Sequence, residues 1–392
     1  MKRDVVDELD AVSILEFFGD LKDPRSAINR KHLLGDICVI CICAVLAGAD
    51  GPKAIGTWAL SKKDWLESVL QLPNGIPSHD TIGRVLATVA PSAFQTCFAK
   101  WSNRFQGGAS DSEEADADPA LKQIAIDGKS LRRSHDKRKG LGPLFLVSAW
   151  SVECGMSLGQ LATEAKSNEI TAIPELISNI EVKGAIVTID AAGCQKNIAK
   201  QIVDAGGDYV LALKGNQGNM HKDVINWVGE QFENDFADVE ARRYEVAEKG
   251  HGREVTNLYI QFDAPATLRG REDWEGLKSI GVATRHCLQA GKESYDTRYY
   301  LTTLPVAVKQ FAQAVRGHWA IENTLHWCLD VTFREDESRL LDRHAAENVA
   351  WLRRFGIGLL KRVDSKESIA MRRRMAGWNE GFLTQVLGIK VI

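Results

Sequence analysis

No long apolar stretch runs through these 392 residues: the longest, Ile37 to Ala49, spans 13, against the ~20 that a membrane-spanning helix needs. A secretory signal is not expected, because the opening MKRDVVDELD is charged where an apolar core should follow. Eight cysteines lie scattered without paired spacing, which excludes a disulfide framework and points to reduced thiols in a cytosol. Cys38, Cys41 and Cys43 fall in the apolar run with no second Cys or His pair at zinc-site spacing, so they read as small core residues. Nucleotide fingerprints are missing too. Gly128-Lys129-Ser130 resembles the end of a P-loop, but Gln123 stands where its first Gly belongs. No GxGxxG follows a strand, and no GxSxG occurs.

What remains is an ordinary globular composition, 44% apolar and 26% charged with a net charge of -3, whose charges are unevenly spread. Five acids crowd DSEEADAD at 111–118, six bases lie between Lys129 and Lys139, and eight between Arg353 and Arg374. Such basic runs can form phosphate-binding patches, although any single run is more often a solvated helix face.

Along the chain, residues 4–19, 31–48, 53–71 and 92–105 read as helices. LPNGIPS then turns into a helix that Ser78 can cap. His79 and Arg84 near the start of that helix are candidate DNA contacts of a helix–turn–helix. The segment 107–119 has little to bury and reads as a linker. The domains expected are therefore a helical DNA-binding domain at 1–106, the acidic linker, an α/β catalytic domain at 120–343, and a basic helical tail at 344–392. Within the third, QIAIDGKS, LFLVSAWSV, MSLGQLATE, AIVTIDAAG and DYVLALKGN are strands, interleaved with helices at NEITAIPELISNI and QKNIAKQIVDAGG. That alternation implies a sheet with some parallel pairing. From about 238 to 303 the pattern is mostly β.

Asp127 and Asp190 each end an apolar strand and precede small residues, Gly128 and Ala191-Ala192-Gly193. Strand ends are where α/β folds place their sites, and small neighbours let a ligand approach the backbone. Glu322 follows on an expected helix, beside an apolar stripe of Ile321, Leu325, Cys328 and Thr332 and between Trp319 and Trp327. An acid among indoles needs a cation to compensate it. Three hard oxygen ligands suit Mg²⁺ or Mn²⁺, and ions in such a cluster activate the attacking and leaving oxygens of a phosphodiester. His318, Glu322 and His326, spaced i, i+4, i+8, also permit a zinc site, but HExxH is lacking.

The segments IAIDGKSLR around Asp127, TIDAAGCQ around Asp190 and HWAIENTLHWCLDVTFRED around Glu322 resemble a DDE-type insertion-sequence transposase of the H-repeat-associated family. KSNEITAIP, YVLALKGNQ and YYLTTL match as well, and DPR and LPNGIPSHDTIGRV resemble that family's N-terminal domain. The resemblance implies an RNase H-like core, preceded by an all-α N-terminal domain and carrying a mostly β insertion at about 238–298. It implies Asp127, Asp190 and Glu322 as catalytic metal ligands. It further implies action on double-stranded DNA at element ends and targets, as a homodimer in a synaptic complex, in the bacterial cytoplasm and on the nucleoid. Related transposases carry Y-x2-R-x3-E-x6-K around the Glu, where this chain has Val315, His318 and Leu329. Arg316, His318 and Arg334 are the candidate replacements for the lost phosphate contacts. Lys129, Arg132 and Arg133, in the basic run after Asp127, are candidates of the same kind. The alternative is a non-catalytic descendant that only binds DNA.

Overall fold

The computed structural model describes residues 17–106, 122–163, 169–250 and 252–388. The acidic linker and most of the first expected helix lie outside them.

The N-terminal helices wrap around one that is apolar on every side. This helix, α1 (Leu34–Leu46), has every residue but Gly35 buried. Its one buried acid, Asp36, accepts a hydrogen bond from the backbone of Leu72 at 2.9 Å, in a turn where Leu72 adopts a positive φ of 40°. The single helix expected at 53–71 breaks at Lys62 into α2 (Pro52–Ser61) and α3 (Lys63–Val69). Next come α4 (His79–Thr88), whose Ser78 cap accepts from the Thr81 amide, and α5 (Pro91–Gln106).

A nine-stranded mixed sheet follows, in the order β3-β2-β1-β4-β5-β9-β8-β7-β6. Its strands are β1 (Gln123–Leu131), β2 (Leu144–Ser151), β3 (Met156–Thr163), β4 (Ile186–Ile189), β5 (Asp208–Leu213), β6 (Ala241–Gly250), β7 (Arg253–Asp263), β8 (Ser279–Gln289) and β9 (Lys292–Thr302). Only β1–β4 and β4–β5 pair in parallel. The β-rich stretch is thus a four-stranded antiparallel meander that extends the same sheet, joined through β9 on β5.

Period-two alternation in the apolar strands decides what covers each face. Val187, Ile189 and Leu211 pack under α6 (Glu169–Ser178), α7 (Lys196–Asp204) and α8 (Gly218–Glu233). Ile186 and Val210 point the other way, against α9 (Val308–Ala320). That helix comes very close to the sheet: a Cβ on Gly317 would lie 2.0 Å from the side-chain oxygen of Gln123. Gln123 in turn donates to the Ala314 carbonyl at 2.7 Å and to the Thr188 hydroxyl at 3.2 Å.

The C-terminal segment is a central support. In α10 (Arg343–Arg362) nearly everything from Ala345 to Leu360 is buried. Its side chains share one core with α1–α5 and with Ile321, Leu325 and Phe333. Phe98 of α5 packs edge-on against Trp351 and Phe355. Asn348 donates to the carbonyls of Leu86 and Val89 at the end of α4. Beyond lie α11 (Ile369–Trp378) and α12 (Glu380–Leu387).

The basic run 353–374 is consequently not one surface patch. Arg353 donates to the Asp50 carbonyl, and Arg373 to the carbonyls of Val45 and Thr332. Arg354 pairs with Glu335 at 2.7 Å, both side chains 0% exposed. Removing one partner of a fully buried pair strands the other charge, at a cost of about 3–5 kcal/mol. Arg354→Met should lower stability by about that amount in urea unfolding, and adding Glu335→Leu should recover most of it.

Candidate functional site

The register of β1 on β4 brings two acids together. Ile126 pairs with Ile189, so Asp127 and Asp190, the next residue on each parallel strand, stand side by side. Contrary to expectation, Asp127 does not end its strand: β1 continues to Leu131 against β2, and it is β4 that ends, just before Asp190. Both carboxylates are held by backbone amides. Gly128 donates to Asp127 Oδ1 at 2.8 Å. Ala192 and Gly193 donate to Asp190 Oδ1 at 3.0 and 3.4 Å.

The small neighbours have a different purpose from the one inferred from sequence. A Cβ on Gly128 would meet the Phe145 ring at 2.4 Å and the Glu169 carboxylate at 2.7 Å. One on Gly193 would meet Ile189 at 2.3 Å. Both glycines are required by packing rather than by ligand approach.

Burial, reinforced by Asp190, Glu322 and Glu169, pushes the Asp127 carboxyl up to about 7, against the pull of the Gly128 amide. The three acids singled out in the sequence therefore share one electrostatic neighbourhood. Glu169, buried at the start of α6, is a fourth member that the sequence pattern did not mark.

Glu322 itself is exposed, not sandwiched between indoles; Trp327 beside it is 58% exposed. The uniform α-helix expected here ends at Ala320, and the bonding widens to π-type turns at Ile321–His326 and Cys328–Thr332. Such i→i+5 turns occur often at functional sites. Buried along the segment are Ile321, Leu325, Cys328 and Leu329. Leu329, where related chains have Lys, is thus a core residue.

Ion pairs tie this segment to the sheet. Lys129 on β1 is only 9% exposed and reaches Asp330 at 2.7 Å and Asp336 at 3.2 Å. It belongs to this clamp, which corrects its expected role as a DNA contact. Arg132 is well exposed with one link to Asp336, and Arg133 is exposed. His318, also expected to meet phosphate, faces the Thr188 hydroxyl at 3.1 Å. Burial pushes it down to about 4, so it is neutral at physiological pH and supplies no cation. Arg334, in a left-handed turn after the segment, pairs with Glu337. Arg316 pairs with Glu248. His79 and Arg84 are exposed at the start of α4, Arg84 bonding back to Asp80 and Thr81 of its own helix. His326 lies 3.5 Å from the free Asp127 oxygen and is pushed down to about 3, by burial first and then by Arg354 and Lys129.

Among the described residues no three His, Cys, Asp or Glu side chains close a cage on an ion. The donor chemistry nonetheless fits a hard divalent cation. Hard carboxylate oxygens of Asp127 and Asp190 stand side by side, and the charges of Asp190, Glu322 and Glu169 add to the burial that raises Asp127. Beside Glu322 opens a cleft of about 700 Å³ between α9 and the meander. Arg253, Arg285, Arg298 and Arg316 line it with Trp319 and Asn323. The three arginines on strands were missed from sequence because only strand register shows that they share a face.

A family model described as Transposase DDE domain matches residues 118–357, and another described as DDE_Tnp_1-associated matches 15–102. The chain belongs to the DDE transposase family. Within it, the chain is 37% identical over 386 residues to the H repeat-associated putative transposase YhhI of Escherichia coli strain K12, covering 95% of this chain and 97% of that one. It is 38% identical to the "Putative transposase YncI" of Escherichia coli O157:H7, over 96% of this chain and 94% of the relative. It is 40% identical to an "Uncharacterized protein in dhlA 3'region" of Xanthobacter autotrophicus, over 73% and 93%. Among the described residues no helix is long and apolar enough to cross a membrane.

The raised Asp127 has a consequence for metal-free protein. The folded chain holds this proton up to about pH 7, whereas an ordinary Asp releases it near 3.8. Between those values the folded state binds more protons than the unfolded one, so stability falls as pH rises; above 7 the penalty reaches at most about 4 kcal/mol. Asp127→Asn should therefore raise the urea midpoint at about pH 8 and leave it near wild type at about pH 4. An equal effect at both pH values would contradict the assignment.

Proposed function

We propose that this chain is an active transposase, which binds the ends of its insertion sequence and catalyses metal-dependent DNA cleavage and strand transfer. The observation that carries the reading is that Asp127 and Asp190 directly follow Ile126 and Ile189, paired on parallel strands, with Glu322 close enough to raise Asp127. On this reading β1–β5, with the parallel trio β1, β4 and β5, form an RNase H-like core within residues 120–343. The meander is the insertion, and residues 1–106 recognise the element ends through His79, Arg84 and their neighbours on α4.

Asp127, Asp190 and Glu322 would hold Mg²⁺ or Mn²⁺. A bound divalent cation supplies Lewis-acid activation of the phosphodiester and of the attacking oxygen. The chain's own contribution is placement. The amides of Gly128, Ala192 and Gly193 fix one oxygen of each Asp, and the other Asp127 oxygen lies 3.5 Å from His326. Arg132 and Arg133 remain as exposed cations for DNA phosphates, while Arg316 is exposed but paired with Glu248. Synapsis of two ends calls for a homodimer, working in the bacterial cytoplasm and on the nucleoid.

One observation favours the second reading, a DNA-binding descendant without chemistry. Where related chains carry Arg and Lys around the Glu, this one has a neutral buried His318 and a fully buried Leu329. A cleavage assay on duplexes bearing the element ends, with Mg²⁺ or Mn²⁺, separates the two. The wild type should cut, and Asp127→Ala, Asp190→Ala and Glu322→Ala should each abolish cutting while retaining end binding. End binding without cleavage by the wild type would establish the second reading.

A further inference from the structure

We propose that the cleft between α9 and the β6–β9 meander holds a short unpaired stretch of a DNA strand, with Arg253 and Arg285 gripping its phosphates. This rests on the nucleic-acid reading above and assigns a site to it.

Strand register builds one wall. Arg253, Val255, Asn257 and Tyr259 alternate onto a single face of β7, and all four line the cleft. Asn257 pairs with Arg285 on β8, and Ala283, two residues before Arg285, pairs with Arg298 on β9. Three arginines from three strands thus lie on the same face of the sheet. Arg316 and Trp319 of α9 form the opposing wall, and Glu322 lines the same space.

The ion pairs separate structural charges from free ones. Arg316 is paired with Glu248 and Lys249 with Glu254. Arg298 is paired with Asp296 and lies over the Trp319 ring at 4.8 Å. Among the described residues Arg253 and Arg285 have no acidic partner. Of the acids that line the cleft, Glu248 is taken up by Arg316, so Arg253 and Arg285 are guanidinium groups left to take an anion. The planar fork of Arg matches phosphate geometry in particular.

Size selects the form of the ligand. About 700 Å³ is the volume of a small-molecule pocket, room for single nucleotides rather than for a duplex. A single strand threads such a space, and a basic groove with an aromatic wall is the usual equipment for holding one.

The experiment uses the full-length chain in EDTA, so that nothing is cut. Fluorescence anisotropy follows binding of a short oligo-dT and of an element-end duplex across a salt series. For Arg253→Ala/Arg285→Ala the slope of log K against log salt on oligo-dT should flatten by about 1.4, ~0.7 for each lost phosphate contact. Binding of the duplex should stay near wild type. Arg253→Lys/Arg285→Lys should keep the wild-type slope, and unchanged circular dichroism should show that both doubles fold. An unchanged oligo-dT slope with intact duplex binding overturns the cleft assignment and leaves the transposase reading standing. A loss of about 1.8 in slope on the duplex, with oligo-dT unaffected, overturns the single-strand assignment. A wild-type chain that binds neither probe overturns both readings.

Discussion

Two carboxylates on adjacent parallel strands repel each other, and the rest of the site is arranged around keeping them there. The β1–β4 register sets Asp127 and Asp190 side by side, each directly after the last parallel pair, Ile126 with Ile189. Burial first, and the neighbouring acids after it, make Asp127 hold its proton to about pH 7. The cost is carried by neighbours that cannot move. Lys129, two residues along the same strand, pulls Asp330 and Asp336 inward. Arg354 locks Glu335 and donates to Ser148 on β2. Arg373 holds the Thr332 carbonyl. The segment that carries Glu322 is therefore fastened, downstream of the acid, to β1, to β2 and to the C-terminal helices.

The same fastening joins the two matched regions into one body. α10 shares a core with α1–α5 on one side and packs Ala346 and Ala350 against Leu131, Leu144 and Leu146 of the sheet on the other. Cutting the chain at the acidic linker would strip apolar cover from α10. The N-terminal helices thus cannot be removed as a detachable module, and His79 and Arg84 ride on a frame continuous with the catalytic candidates.

The strands, the three acids and the helical N-terminus were legible in the sequence because each rests on local pattern. Apolar runs end in turns, and Ser78 caps α4 as its position suggests. What was not legible depends on pairing across distance. Lys129 looked like a solvent cation, and only folding brings it against Asp330 and Asp336. His318 looked like a substitute Arg, and only the closeness of α9 to β4 makes it neutral. The π-type turns around Glu322 have no composition signature that sets them apart from α-helix, so a uniform helix was expected there. Arg253, Arg285 and Arg298 lie far apart in sequence and meet through antiparallel register. Glu169 joins the acids only because Gly128 leaves room beside Phe145.

The central claim is that Asp127, Asp190 and Glu322 form one cation site. Titration of the metal-free chain with Mn²⁺, followed by electron paramagnetic resonance, measures that site without reference to cleavage. The account predicts saturable binding by the wild type, accompanied by proton release near pH 7 as Asp127 ionises, and its loss in Asp127→Asn and in Asp190→Asn. Mn²⁺ binding of the same strength in wild type and both variants would contradict it.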